Sequence, residues 1–159
     1  MTFKIYLDPQ TWEEVLENRK NWAAFLQSGV KKRKHVLDDG EGNRCCIGHG
    51  CFIAEGLERH DAGIQDIDGA RISYNGFSYS APESFVFALQ MRSAGGDFDN
   101  SFKVEEKFVN ERSEVSTLAA LNDYTLMESS DIGALIEKMI EGGLGTPFHA
   151  KDHFTKIVR

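Results

Sequence analysis

The chain has 159 residues, 41% of them hydrophobic and 27% charged, and a formal net charge of −7. That length suits one domain with a sizeable core. Its apolar runs fall short of the roughly 20 residues that span a bilayer, and the acidic balance argues against coating a nucleic acid, which needs a basic surface.

The opening MTFKIYLDPQTW holds no apolar signal core, and Asp8-Pro9 is a helix-start signal, with Asp8 as cap and Pro9 where no N–H is needed. From Thr11 the apolar residues Trp12, Val15, Leu16, Trp22, Ala23, Phe25 and Leu26 follow a 3.6-residue period, predicting a helix over 11–27 that both tryptophans anchor in the core. Asn18 and Asn21 are points where it could break, and Gly29 is the expected C-cap. The next stretch, VKKRKHVL at 30–37, carries Lys31, Lys32, Arg33 and Lys34 in a row. It reads as a solvated edge strand protected by its lysines, or as a phosphate-contacting patch on an otherwise acidic protein. DDGEGN at 38–43 is a turn by composition, so a hairpin is expected between 31–37 and 44–47.

Residues 44–58, RCCIGHGCFIAEGLE, hold all three cysteines, with Gly48, Gly50, Ala54 and Gly56 set among Ile47, Phe52, Ile53 and Leu57. Such small residues let other backbone approach closely, and a helix is expected over 48–58. An odd cysteine count with two adjacent thiols suggests reduced cysteines in a cytoplasmic protein. Beyond it, Asn75-Gly76 between Ile72, Tyr74 and Phe77, Tyr79 is a hairpin signal over 70–79. Pro82 opens a helix over 83–92 that buries Phe85, Val86 and Leu89. The segment 93–116 reads as a variable or mobile loop, or as a short strand pair around Phe102, Val104 and Phe108, Val109. A helix is expected over 115–121, ending at Asn122-Asp123. Another follows, capped by Ser129 or Ser130 with Asp131 in its first turn, burying Ile132, Leu135, Ile136, Met139 and Ile140 and ending at Gly142-Gly143. The tail 144–159 reads as a docked strand or a loosely held end.

The cysteine stretch admits three readings. The thiols can be small buried hydrophobes at a hairpin-to-helix junction. Cys46 can be a thiolate nucleophile activated by the helix N-terminus, with His149, His153 or His49 as base and Asn122 or Asp123 as orienter. Cys46, His49 and Cys51 can share a metal ion with His60 or His35, although structural zinc sites draw paired ligands from two separate segments. No cofactor is expected.

The motif order Trp22-x-x-Phe25-Leu26-x-Ser28-Gly29, Cys45-Cys46-Ile47-Gly48-x-x-Cys51, Leu118-Ala119-Ala120-Leu121-Asn122-Asp123 and a helix over 132–140 resembles a family of small bacteriophage, prophage and actinobacterial proteins built on a domain of unknown function. The resemblance spans most of the chain outside 60–115. In that pattern the positions of His49 and Gly50 carry small or aliphatic residues, which weakens any role for His49. The pattern pairs Cys46-Ile47-Gly48 with Asn122-Asp123, either as packing, with Asn122-Asp123 bonding free N–H groups near Gly48, or as a polar pocket for a small ligand.

The expected fold is a single α+β domain: a small antiparallel sheet from the 30–47 and 70–79 hairpins, covered by about four to five helices. The resemblance implies a phage-type accessory protein inside a bacterial cell, acting by binding a host protein or a small anionic, nucleotide-like ligand and counteracting host defence. Cys46, Gly48, Asn122, Asp123, Lys31, Lys32 and Arg33 are the candidate binding residues. The alternative is a cysteine-dependent hydrolase or transferase with Cys46, His149 and Asn122 as its catalytic set.

Overall fold

The computed structural model describes residues 2–142 and 145–158, with side chains as far as Phe154. Its elements run β1 (Ile5–Tyr6), α1 (Trp12–Leu26), β2 (Lys31–Lys32), β3 (Asn43–Arg44), α2 (Cys46–Ile53), β4 (Ala54–Glu55), β5 (Arg59–Asp61) and β6 (Ile72–Tyr74). They continue with α3 (Glu83–Leu89), β7 (Asp97–Lys103), a 3-10 turn at Glu106–Phe108, β8 (Glu114–Thr117), α4 (Leu118–Tyr124), α5 (Ser129–Lys138) and α6 (Lys151–Val158). Helices and short strands thus form the expected α+β fold. The strands are spread over four two-stranded ladders: β1 with β4 and β2 with β3 parallel, β5 with β6 and β7 with β8 antiparallel. One apolar cluster joins them, from Ile5 through Trp22, Leu37, Cys46, Phe85, Leu118 and Ile132 to Phe148. Among the described residues, no helix is long and apolar enough to cross a membrane.

α1 is unbroken. Its cap is Thr11, not Asp8, because the Thr11 hydroxyl accepts from Glu14 N at 3.2 Å while the Glu14 carboxylate turns back to Gln10 N. The two asparagines do not interrupt it. Asn18 faces β1 as a neighbouring strand would, accepting from Tyr6 N and donating to Tyr6 O, both at 2.8 Å, and it also donates to Ala88 O at 2.9 Å. Asn21 donates to Lys4 O at 2.8 Å. The helix closes at Gln27, and Gly29 takes the turn beyond at φ +99°. Trp22 is in the core, whereas Trp12 is half-buried against Phe154 and Arg19.

Several expectations are corrected. The basic stretch is strand over Lys31–Lys32 alone, and it pairs with β3 in parallel (Lys31 with Asn43, Lys32 with Arg44), so no hairpin joins 31–37 to 44–47. The reason lies in 36–39: Val36, Leu37, Asp38 and Asp39 are buried, and they turn inward to bond Cys45 N and Ser78 O instead of each other. Asn75-Gly76 makes a tight turn closed by reciprocal Tyr74–Phe77 bonds at 2.9 Å, but the ladder partner of β6 is β5. α2 starts at Cys46 and stops at Ile53, where β4 peels off to pair with β1. The segment 93–116 contains a strand pair, but β7 meets β8 while Phe108 sits in the 3-10 turn. Val115 belongs to β8, and α4 begins after it with Thr117 as cap and runs through Asn122-Asp123. α5 is capped by Glu128, which forms a capping box with Asp131. Gly143, Leu144 and Arg159 lie outside the described residues. The tail is docked: Phe148 bridges Met91 and is buried, and α6 follows.

Arg19, fully buried on α1, ties the chain's end to its start. Its guanidinium donates to Leu89 O (2.9 Å), Ile140 O (3.2 Å), Gln90 O (3.4 Å) and His149 O (3.1 Å), between the Trp12 and Phe148 rings. Leu89 and Gln90 close α3, where partial negative charge collects, and Ile140 follows the cap of α5. Among the described residues no carboxylate pairs with it. Burial draws it down to about 9, so it stays charged at neutral pH. Arg19→Leu should lower the unfolding free energy by at least about 3 kcal/mol in urea titrations, because buried acceptors lose their donor. Arg19→Lys should recover only part, since one ammonium cannot span four carbonyls. A loss below about 1 kcal/mol in Arg19→Leu would contradict this role.

Candidate functional site

α2 is buried along most of its length, and its N-terminus is closed by side chains. Cys45 is the N-cap, its Sγ accepting from Gly48 N at 3.3 Å. Sulfur is a weak acceptor, and a stronger one arrives from α4: Asn122 Oδ1 accepts from Cys46 N at 3.1 Å. Trp22 Nε1 donates to Cys46 O at 2.9 Å, and the Cys46 thiol lies 3.7 Å from Leu118 O. The two helical glycines are required by contact. A Cβ on Gly48 would sit 1.7 Å from Leu37 O, and one on Gly50 would sit 2.4 Å from the Phe85 ring and 2.9 Å from Trp22 Nε1. Phe85 and Trp22 meet edge to face there at 5.7 Å.

Asn122 and Asp123 grip the chain on the other side as well. Asn122 Nδ2 donates to Arg33 O at 2.9 Å and to Asp123 Oδ1 at 3.0 Å. Asp123 accepts from His35 N at 2.9 Å, and its second oxygen lies 3.3 Å from His35 Nδ1. His35 sits at φ +70°, a left-handed conformation costly for a non-glycine residue, and these bonds hold it. Backbone of 33–35 thus occupies the space expected for a small ligand. The packing version of the Cys46–Asn122–Asp123 arrangement is the one present.

Two side chains of the basic run turn back onto the fold. Lys32 turns inward, donating to Thr125 O (3.2 Å) and Met127 O (2.7 Å) beyond the end of α4. Arg33 lies over Gly69, and Lys31 offers its carbonyl to His49. One open cleft, between α1 and the end of α5, is lined by Glu17, Lys20, Asn21, Glu137 and Glu141, an acidic setting hostile to anions.

The thiols are protonated. Burial pushes Cys45 up to about 12 and Cys46 and Cys51 well above the ordinary thiol value. A thiolate nucleophile needs the opposite shift. Cys46 finds a carbonyl where a base would stand. His149 lies instead with Arg19, Gln90 and His153, its imidazole stacked on His153 at 3.7 Å. Cys46 and Cys51 point about 140° apart around the helix. Between them, His49 is bonded to Lys31 O at 2.7 Å, while His35 faces Asp123 and His60 is exposed on β5. Among the described residues, no three His, Cys, Asp or Glu side chains are grouped to hold a metal ion.

Composition concealed another polar centre. Asp38, assigned to a surface turn, is fully buried: its Oδ2 accepts from Arg44 Nε (2.8 Å) and Tyr74 OH (2.7 Å), and its Oδ1 from Gly40 N (2.9 Å). Burial and the Asp38 carboxylate raise the Tyr74 hydroxyl above its ordinary value. Arg44 also stacks on Phe52 at 3.7 Å. The isoleucines of the 62–69 loop, Ile64 and Ile67, stand in solvent. Their signal was visible as two branched apolar residues inside a Gly- and Asp-rich turn.

Comparison of the chain with protein-family models, curated proteins and solved structures gives no match.

His49 supplies a pH test. A carbonyl only accepts, so Nε2 carries the proton and the buried Nδ1 has no partner among the described residues; burial lowers the imidazole from 6.5 to about 4. A group held neutral in this way stabilises the fold fully above 6.5 and loses that contribution as pH falls toward 4. Stability should fall by about 3 kcal/mol over that window. His149, also lowered to about 4 but half-exposed, adds less. His49→Gln, which keeps a donor near Lys31 O, should flatten most of this slope in urea titrations at pH 7 and pH 4.5; an unchanged slope would contradict the assignment. Gly48→Ala should destabilise by about 3 kcal/mol or more through overpacking against Leu37 backbone, read in the same titration.

Proposed function

We propose that the protein acts by binding another protein, as an accessory factor inside a bacterial cell of the kind the phage and prophage resemblance implies. One contrast carries this reading: the chemically capable groups around Cys46 are buried and bonded within the fold, while large apolar side chains face water at Tyr6, Ile64, Ile67 and Tyr79. Exposed apolar groups of this kind mark interaction surfaces when they gather on one element. A host protein is the partner that a phage origin supplies, and blocking a component of host defence is the use that follows from it. The small anionic ligand loses support from the engagement of Lys32 and Arg33 by the fold, and from the chain's own backbone against Asn122 and Asp123. The cysteine hydrolase or transferase loses support from the protonated thiols and from the position of the Leu118 carbonyl, rather than a base, beside the Cys46 thiol.

Thiol chemistry tests this. At pH 7.5 the native protein should react with Ellman's reagent at none of its three cysteines over an hour, and at all three once unfolded in guanidinium. Cys46→Ala should keep whatever effect the protein has in its host. A native thiol labelled within seconds, together with loss of the effect in Cys46→Ala, would restore the nucleophile and remove the binding reading.

A further inference from the structure

Between β5 and β6 the chain makes a projecting loop whose tips are apolar. Ile67 is 101% exposed and Ile64 77%, with Tyr79, 51% exposed, standing beside them through its hydroxyl bond to Asp66. A soluble domain gains nothing for its own stability from two branched aliphatic side chains held in water. Scattered exposed isoleucines need no explanation, but a pair on one eight-residue loop does.

The loop is also built to hold its shape. Asp66 Oδ1 accepts from Asp68 N (2.9 Å) and Ala70 N (3.0 Å), while Asp66 N donates to Ala70 O (2.7 Å) and Gly69 N to Asp66 O (3.0 Å). Asp61 accepts from Gly63 N (2.8 Å) and from Arg71 Nε (2.8 Å), and Ala62 N donates to Arg71 O (2.9 Å). Gln65 reaches back to Asp39 O at 2.9 Å. Underneath, Arg71 N and Ile72 N both donate to the carbonyl of buried Asp38. The isoleucines therefore sit on a frame that binding does not have to order, which removes a main cost of association.

We infer that this loop is a preformed docking knob for a protein partner that offers an apolar socket with a basic rim. The inference rests on the binding reading above and names its surface. Charge chooses the partner. Glu41, Asp61, Asp66 and Asp68 outnumber Arg33, Arg59 and Arg71 around the knob by four to three, on a chain of net charge −7. That rim repels an anionic bilayer, a nucleic acid and a second copy of the same acidic surface, and complements lysine- and arginine-rich protein.

The test is a ribosome-displayed library of random 16-residue peptides, selected on the immobilised full chain and, separately, on Ile64→Asp/Ile67→Asp. Both side chains are exposed, so the double variant should keep the wild-type Tm; Ile67→Ser serves as a milder second variant. The expected result is enrichment, on wild type over the double variant, of peptides that combine Lys or Arg with Leu, Ile, Met or aromatic residues. Their Kd should weaken at least about tenfold in the double variant and weaken again between 50 and 300 mM salt. Enriched peptides that bind wild type and both variants equally would overturn the knob while leaving the binding reading in place. Enriched acidic peptides would overturn the partner class, and no enrichment at all would overturn the inference. Concentration-dependent dimerisation of wild type that the double variant lacks would assign the surface to a second copy and overturn it too. Failure of the binding reading itself would appear separately, as a reactive native thiol.

Discussion

The amide of Asn122 is the contact on which this fold turns. The first turn of α2 is buried, so its free N–H groups have no water to bond and each would cost free energy if left unpaired. The cap residue is a cysteine, whose sulfur is a poor acceptor, and the deficit is met from α4 by Asn122. The same amide holds Arg33 O, so a single side chain joins α2, α4 and the segment after β2. Buried without residual polar atoms, it is a satisfied network in which removing any partner strands the others.

That economy is general here. Among the described residues no ladder exceeds two strands, and isolated two-stranded ladders are marginal in water. What a larger sheet would do with backbone pairing, this domain does with polar side chains aimed at backbone: Asn18 and Asn21 at β1, Arg19 at the ends of α3 and α5, Lys32 at the end of α4, Asp38 at the base of β6. Each brings a polar or charged group into the interior, and each is tolerable because its donors or acceptors are filled by chain atoms. The glycines of α2 belong to the same design, since only they let Leu37 backbone and the Trp22–Phe85 pair close over the helix.

This explains which parts of the molecule were legible in the sequence. Apolar periodicity locates α1, α3 and α5, because their buried faces repeat at helical spacing. The small residues of 44–58 announce close backbone approach, and the Cys46–Asn122 connection follows from the motif pairing and from the needs of a buried helix end. The hairpin expected over 31–47 misleads because composition reports solvation, whereas Asp38 and Asp39 are buried by specific partners: Arg44 and Tyr74 for one, Asn43 and local N–H groups for the other. Asn18 looks like a helix breaker by propensity but is a tertiary ligand for β1. Lysine 32 looks like surface charge, yet its ammonium is spent on two carbonyls. In each case a nonlocal backbone partner decided the outcome, and no local pattern encodes such a partner.

The same anchoring bears on function. Asp38 receives Arg71 and Ile72 backbone on one side and Arg44 on the other, and Arg44 opens directly into the cysteine helix. The loop bearing Ile64 and Ile67 is therefore fixed to the most tightly packed part of the domain and is not a pendant arm. Rigidity in a core element serves stability, but Ile67 is fully exposed and Ile64 mostly so, and holding them still adds little to the fold. A fixed apolar knob has a physical return when a second surface closes over it, because side chains already in place lose little freedom on association. On the binding reading proposed above, the buried thiols and the exposed isoleucines divide the labour: the cysteine helix is the platform, and recognition is assigned to the surface it supports.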